Sequence, residues 1–169
     1  MGEASNFEAA LSHFFCEKNI DVQEFLQSKA TDFERRDLAR TYLIIDEELT
    51  LLEGHIVILG YFTLAMKSLI FDSEISKEVK KKIANDKNAE IATGYLIGQL
   101  GKNDRYREYI KGEEILHSAI ELIQDIHMKL AGRFIYVECD DTPKLLSFYE
   151  RNHFKVIQKG EMVQLYRRL

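Results

Sequence analysis

The chain has no tryptophan, one proline, two cysteines and nine glycines among 169 residues, and each scarcity excludes something. Without Pro- or Gly-rich stretches, low-complexity tracts or internal repeats, nothing reads as an interdomain linker, and the length suits one domain over residues 1–169. Cys16 and Cys139 are too few for a disulfide scaffold; with no secretory context they read as two buried thiols, and redox chemistry is not expected. The apolar runs, such as Ile56 to Leu59 or Leu96-Ile97, fall far short of the roughly 20 residues a membrane span needs. No charged start followed by an apolar stretch marks a signal peptide, so the expected location is the cytoplasm. A formal charge of -5 argues against a general nucleic-acid coat, because phosphate binding is driven by clustered Lys and Arg. The local exception is Lys77 to Lys87, with Lys77, Lys80, Lys81, Lys82 and Lys87, which reads as the solvated face of a short helix.

What is present is an ordinary globular composition, 46% hydrophobic and 30% charged, arranged in readable periods. From Asp21, a candidate N-cap, to about Arg36, the residues Val22, Phe25, Leu26, Ala30 and Phe33 follow helical spacing as one helix or two short ones. Tyr42 to Ile45 and Ile56 to Leu64 are β-branched and aromatic and read as paired antiparallel strands, with the acidic segment Asp46 to Gly54 as the turn between them. Ile91 to Leu100 reads as a strand buried on both faces. From Gly112 the stripe Ile115, Leu116, Ala119, Leu122, Ile123, Ile126 and Leu130 predicts a helix of about five turns ended near Gly132. Phe134 to Cys139 is a strand, Pro143 opens a helix that stops near Asn152, and Phe154 to Gln158 with Met162 to Tyr166 form a closing hairpin. The last strand of that hairpin, Met162 to Arg168, offers an exposed edge that a second copy of the chain would cover.

The stretch Tyr95 to Cys139 therefore reads as strand, loop, helix, strand. A loop between a strand and a helix start aims several backbone N–H groups at one spot, where an anion such as a pyrophosphate is held without a dedicated side chain. The histidines sit at no metal-ligand spacing: His117 and His127 are ten apart, and His13, His55 and His153 have no partners, so no metal is expected.

Three segments resemble the GCN5-related N-acetyltransferases over nearly the whole chain. The family's acetyl-CoA loop, Gln/Arg-x-x-Gly-x-Gly/Ala, is matched by Arg107-Glu108-Tyr109-Ile110-Lys111-Gly112 at Arg107 and Gly112. Leu145 to Phe154 resembles the penultimate helix, usually ending Phe-Tyr-x-x-x-Gly-Phe. Phe25-Leu26, Arg40 to Leu43 and Leu59 to Leu64 resemble the subgroup of bacterial toxin-type and prophage acetyltransferases. The resemblance implies an α/β (α+β) fold, one mixed, mostly antiparallel sheet with helices on both faces. It implies direct transfer of an acetyl group from acetyl-CoA, the cosubstrate, to a primary amine of a small molecule, a protein or an aminoacyl-tRNA; for tRNA the Lys77 to Lys87 segment would be part of an RNA track, while the acidic net charge weighs against tRNA.

The resemblance also assigns roles. The backbone of Gln99, Leu100 and Gly101 pairs with the pantetheine arm, and the N–H groups of Tyr109, Ile110, Lys111, Gly112 and Glu113 hold the pyrophosphate, with charge added by Arg107 and Lys111. Tyr149 donates a proton to the departing thiolate. Glu138, on the preceding strand, is the candidate general base, directly or through water. Glu113 and Glu114 suit the first turn of a helix, but they place negative charge beside the phosphates, and their side chains are expected to point away. Two positions depart from the pattern: Ile110 stands where the family has its first loop glycine, and His153 replaces the glycine before Phe154. A β-branched residue resists φ > 0, whereas His tolerates it better. The alternative to the enzyme is accordingly a catalytically degenerate binding module on the same fold.

Overall fold

The structure, a computed structural model, describes residues 3–169, with side chains from Phe7 onward. Its elements are helix α1 (Glu3–Ser12), α2 (Ile20–Glu24) running through a π-helical turn (Phe25–Lys29) into α3 (Ala30–Arg35), strand β1 (Arg40–Asp46), α4 (Glu47–Glu53), β2 (Val57–Ile70), α5 (Lys77–Ala84), β3 (Ile91–Lys102), a 3-10 turn (Asp104–Tyr106), α6 (Gly112–His127), β4 (Phe134–Cys139), α7 (Pro143–Arg151), β5 (Lys155–Lys159) and β6 (Val163–Arg168). The strands form one six-stranded sheet in the order β1-β2-β3-β4-β6-β5. β1 pairs antiparallel with β2, β4 and β5 each pair antiparallel with β6, and β3 pairs parallel with β4 through Tyr95 to Ile97. The mixed, mostly antiparallel α/β sheet is the one the resemblance implies. Among the described residues no helix is long and apolar enough to cross a membrane.

Two compact units share these elements: residues up to Leu64 with Gln99–Ala119, and Ala65–Gly98 with Ile120–Leu169. Each has its own core. In the first, Ala10, Leu11, Phe14, Val22, Phe25 and Leu26 from the helices pack on Ile58 and Tyr61 of β2. A bulge sets this arrangement, since Ile44 of β1 faces Gly60 whereas Ile45 faces Ile58, leaving Leu59 without an opposite residue. The extra residue reverses the alternation of faces, so Ile58 and Tyr61 look to α1 and α2 while Gly60 looks to α6. A Cβ on Gly60 would lie 2.5 Å from the Ile115 side chain, which explains the glycine. Helices thus cover both faces of the first half of β2. In the second unit, Leu69, Phe71, Ile83, Ala92, Phe134, Tyr136, Ile157 and Tyr166 cluster, with Gly94 admitting the ring of Phe134.

Several expectations change. The acidic segment after Asp46 is a helix, not a turn: Asp46 Oδ1 caps the Leu49 N–H at 2.8 Å and Gly54 ends it at φ 71°, while Leu51 and Leu52 remain exposed. Asn19 rather than Asp21 caps α2, through the Val22 N–H. β2 continues six residues past Leu64; in this outer half Leu69 is buried in the second unit's core, while Met66, Lys67, Ser68 and Ile70 are exposed. β3 alternates between buried and exposed residues instead of being buried on both faces. β6 lies between β4 and β5, so the outer strand is β5, and the exposed edge expected of Met162 to Arg168 belongs to Lys155–Lys159 instead. Both cysteines are buried and free, their thiols pushed up by burial first and by nearby aspartates.

Candidate active site

The candidate cosubstrate loop is held in place by a residue the sequence reading passed over. Asn103 is buried; its N–H donates to the bulged Leu59 carbonyl at 2.8 Å and its side-chain amide to the Ile58 carbonyl at 2.8 Å. Its Oδ1 accepts from the Arg105 N–H at 3.2 Å and the Phe15 N–H at 3.4 Å. One side chain therefore ties the loop's start to β2 and to the segment after α1. Asp104 reinforces this, donating its N–H to Phe15 O and accepting from the Glu17 N–H, each near 2.9 Å within a tenth.

Backbone direction in β3 can be read from three contacts. The Gln99 N–H donates to Thr63 Oγ1 at 2.9 Å, the Gly101 carbonyl faces Gly60, and the Asn103 N–H goes to Leu59, so these peptide groups turn toward β2. By strand alternation, the peptide groups of Leu100 and Lys102 turn to the opposite edge. Of the three residues assigned to a pantetheine arm, only Leu100 presents its main chain away from β2.

Past the 3-10 turn the loop closes partly on itself. The Tyr109 N–H donates to the Tyr106 carbonyl at 3.0 Å. The Lys111 N–H donates to Glu114 Oε2 at 2.7 Å. With Lys111 as the N-cap of α6, this is the returning half of a capping box, in which the third helical residue accepts the cap's own N–H. Glu114 therefore turns toward the loop, contrary to expectation. Among the described non-glycine residues a positive φ occurs only at Asp37, Asn85 and His153. Ile110 thus sits in ordinary backbone and is buried, so the loop needs no glycine there, whereas His153, at φ 68°, takes the left-handed turn that the family's glycine would. Arg107 pairs with Glu108 at 3.5 Å, both exposed, a contact of little energetic weight.

The second unit supplies the side-chain candidates. Thr142 caps α7 through the Leu145 N–H and Pro143 occupies its first turn. The helix ends as the Phe154 N–H returns to the Tyr149 carbonyl at 3.0 Å, which brings Phe154 against the Tyr149 ring. Tyr149 is buried between the edges of Phe148 and Phe154. Burial, with the Cys139 thiol as a lesser contribution, pushes its phenol well above the usual tyrosine range, so the group stays protonated. Glu138, on β4, is partly buried; its Oε1 accepts from Gln164 Nε2 at 2.8 Å and its Oε2 from Lys67 Nζ at 3.4 Å. Gln164 in turn accepts from Gln158. Both oxygens of the candidate base are thus engaged, by partners from β2 and β6 that only the folded register reveals. Among the described residues no group of three or more His, Cys, Asp or Glu is placed to hold a metal.

No known family profile matches the chain, and no curated protein sequence is similar to it. Solved structures do match. A tyrosine-to-phenylalanine variant of KacT superposes with a TM-score of 0.75 at 18% identity, covering 96% of this chain and 89% of that one. AtaT complexed with acetyl-methionyl-tRNAfMet gives 0.73 at 18% identity, over 94% of this chain and 86% of that one. A tyrosine-to-phenylalanine variant of the AtaT toxin, bound to the C-terminus of the antitoxin AtaR and to acetyl-CoA, gives 0.70 at 15% identity, over 94% and 84%. The fold of this chain is the GNAT-like fold of AtaT and KacT.

Proposed function

We propose that the chain is an acetyl-CoA-dependent N-acetyltransferase that moves the acetyl group directly to a primary amine. The observation that carries the reading is the placement of Tyr149, a buried phenol between Phe148 and Phe154 on the helix where the motif resemblance calls for a proton donor. It stands in a fold shared with a toxin solved with acetyl-CoA, and tyrosine-to-phenylalanine variants of both neighbours support a tyrosine as the group of interest.

Acetyl-CoA, when bound, supplies a thioester carbonyl open to attack by an amine. In the proposed arrangement Leu100 offers its outward peptide group to the pantetheine arm, and the start of α6 from Ile110 to Glu113 receives the pyrophosphate. The C–S bond breaks as the C–N bond forms; the amine gives up one proton, and Tyr149 delivers one to the sulfur. A phenol with an ordinary pKa of about 10 already holds that proton at neutral pH, and burial extends the range over which it does. Glu138 is the proposed acceptor of the amine's proton, through water, in competition with Lys67 and Gln164. An α-amine, with a pKa near 7.7–8.0, is partly neutral without help, whereas a lysine near 10.4 needs a strong base. The engaged Glu138 therefore favours an α-amine. The AtaT complex with acetyl-methionyl-tRNAfMet supports an aminoacyl-tRNA as the leading acceptor.

A second reading, a degenerate module, is favoured by one observation: the Glu114 carboxylate occupies the Lys111 N–H that a pyrophosphate would use. Measurement of CoA release with acetyl-CoA and a panel of amines, including aminoacyl-tRNA, decides between them. Saturable release with an α-amine acceptor is expected. Calorimetry showing no acetyl-CoA binding, together with no release, would establish the module.

A further inference from the structure

The lysine-rich segment acquires a different meaning in three dimensions. A cavity of about 340 Å³ in the second unit is lined by Glu78, Lys81, Lys82, Asn85, Arg133 and Arg168. Lysines in the last turn of a helix are ordinary, because they complement its dipole. Arg133 and Arg168 have no such reason to be here, since the first immediately precedes β4 and the second ends β6. Several contacts bring them together. Ile83, fully buried, fixes α5 on the core, and its carbonyl accepts Arg133 Nε at 3.2 Å. The Leu169 N–H donates to the Arg133 carbonyl, and Arg168 lies opposite Phe134 in the β4–β6 register. Lys80, by contrast, lies over the Phe71 ring and is spent on the core.

Four cations thus converge on one concavity, against one lining carboxylate, in a chain whose acidic residues outnumber its basic ones, 28 to 23. Among the described residues none of the four has a carboxylate within ion-pair distance. Such a cluster is self-repelling, and an anion relieves it. An anchored guanidinium beside flexible ammonium groups suits a tetrahedral oxyanion with several acceptor oxygens. We propose that this pocket is an anion site for a phosphate-bearing ligand, separate from the loop assigned to acetyl-CoA. The phosphate has two potential sources, a free phosphorylated small molecule or the backbone of RNA. The site is open to solvent, so binding will be salt-dependent in either case.

The test is calorimetric titration with inorganic pyrophosphate and, separately, a short single-stranded RNA, at low salt and with saturating CoA to occupy the loop before α6, comparing wild type with the double variant Lys82→Ala, Arg168→Ala. Both residues are exposed, and circular dichroism with a thermal melt checks that the variant is folded. The expected result is saturable binding of at least one probe that the variant weakens by about tenfold or more, while acetyl-CoA affinity is unchanged. For RNA, the slope of log affinity against log salt should shrink by about 0.7 for each phosphate contact removed. Loss confined to pyrophosphate identifies a small-molecule site, and loss of RNA binding a backbone site. Equal binding by wild type and variant, or no saturable binding of either probe, overturns the proposal. So does an equal loss of acetyl-CoA affinity, which would make the anion part of the cosubstrate. Because the acetyl-CoA titration is read separately, failure of the pocket leaves the enzyme reading untouched, and the reverse holds too.

Discussion

The loop from Asn103 to Gly112 and the corner around Tyr149 are built from opposite materials. The loop offers backbone groups, so what matters there is conformation, set by Asn103 and by the carboxylate of Glu114. The corner offers a side chain, and what matters is one oxygen in a buried aromatic setting. A site of backbone groups should tolerate changes in the residues that form it and fail when its distant supports are removed. A side-chain site has the reverse sensitivity. Substitutions can therefore separate the two, the first acting through binding and folding and the second through turnover.

The largest effect is expected at Tyr149. Tyr149→Phe removes the proposed proton donor and leaves the ring packing with Phe148 and Phe154, so kcat should fall by about 10²–10⁴, or about 2.7–5.5 kcal/mol in the barrier, with acetyl-CoA affinity and stability nearly unchanged. Its pH dependence sharpens the point. Because folding raises this phenol's pKa, its neutral form contributes stability that is complete below the unfolded value of about 10 and is lost as pH rises toward the folded value. The kcat profile should therefore show no basic limb from Tyr149 below about pH 10. A variant that turns over at the wild-type rate would remove Tyr149 from the chemistry.

Next comes the loop's support. Asn103→Ala leaves the Ile58 carbonyl and the Arg105 and Phe15 N–H groups without their partner, and about 1–3 kcal/mol for an orphaned buried group suggests a total near 2–4 kcal/mol. Urea unfolding measures the stability loss. The comparison predicts that acetyl-CoA affinity falls with it while kcat at saturation changes little. A drop in kcat with unchanged affinity would mean that the loop and the corner are not separable in this way.

How much of this was legible follows the same division. The corner was open to reading because its signals are local: an apolar strand to Cys139, a capping Thr142, Pro143 in the first helical turn, and Phe148-Tyr149 before Phe154. The helix α4 had local signals as well, Asp46 as cap and Gly54 as terminator, but the acidic composition between two strands outweighed them. Asn103 and the Leu59 bulge were beyond reach, because each is defined by the other across more than forty residues. The pairing of Glu138 with Lys67 and Gln164 likewise depends on strand register, which periodicity does not determine. The basic cavity shows the same limit: its lysines stand out in the sequence, while Arg133 and Arg168 join them only through the fold.

The smallest expected effect is also the one that bears most directly on enzyme or module. Glu114→Ala removes the carboxylate that accepts the Lys111 N–H, and loss of half a capping box should cost about 0.5–1 kcal/mol of stability in the absence of ligand. The same change vacates that N–H and removes a negative charge from the start of α6, where the helix dipole favours an anion. If the carboxylate occupies the pyrophosphate's place in the unliganded protein and swings away when acetyl-CoA binds, the variant should bind acetyl-CoA about 2–5-fold more tightly, the effect of about 0.4–1 kcal/mol at a helix end. Weaker binding would instead make Glu114 a support of the loop. An absence of binding in both proteins would mean that the capping box has replaced the cradle, and the loop's closure on itself would then define the molecule as a module.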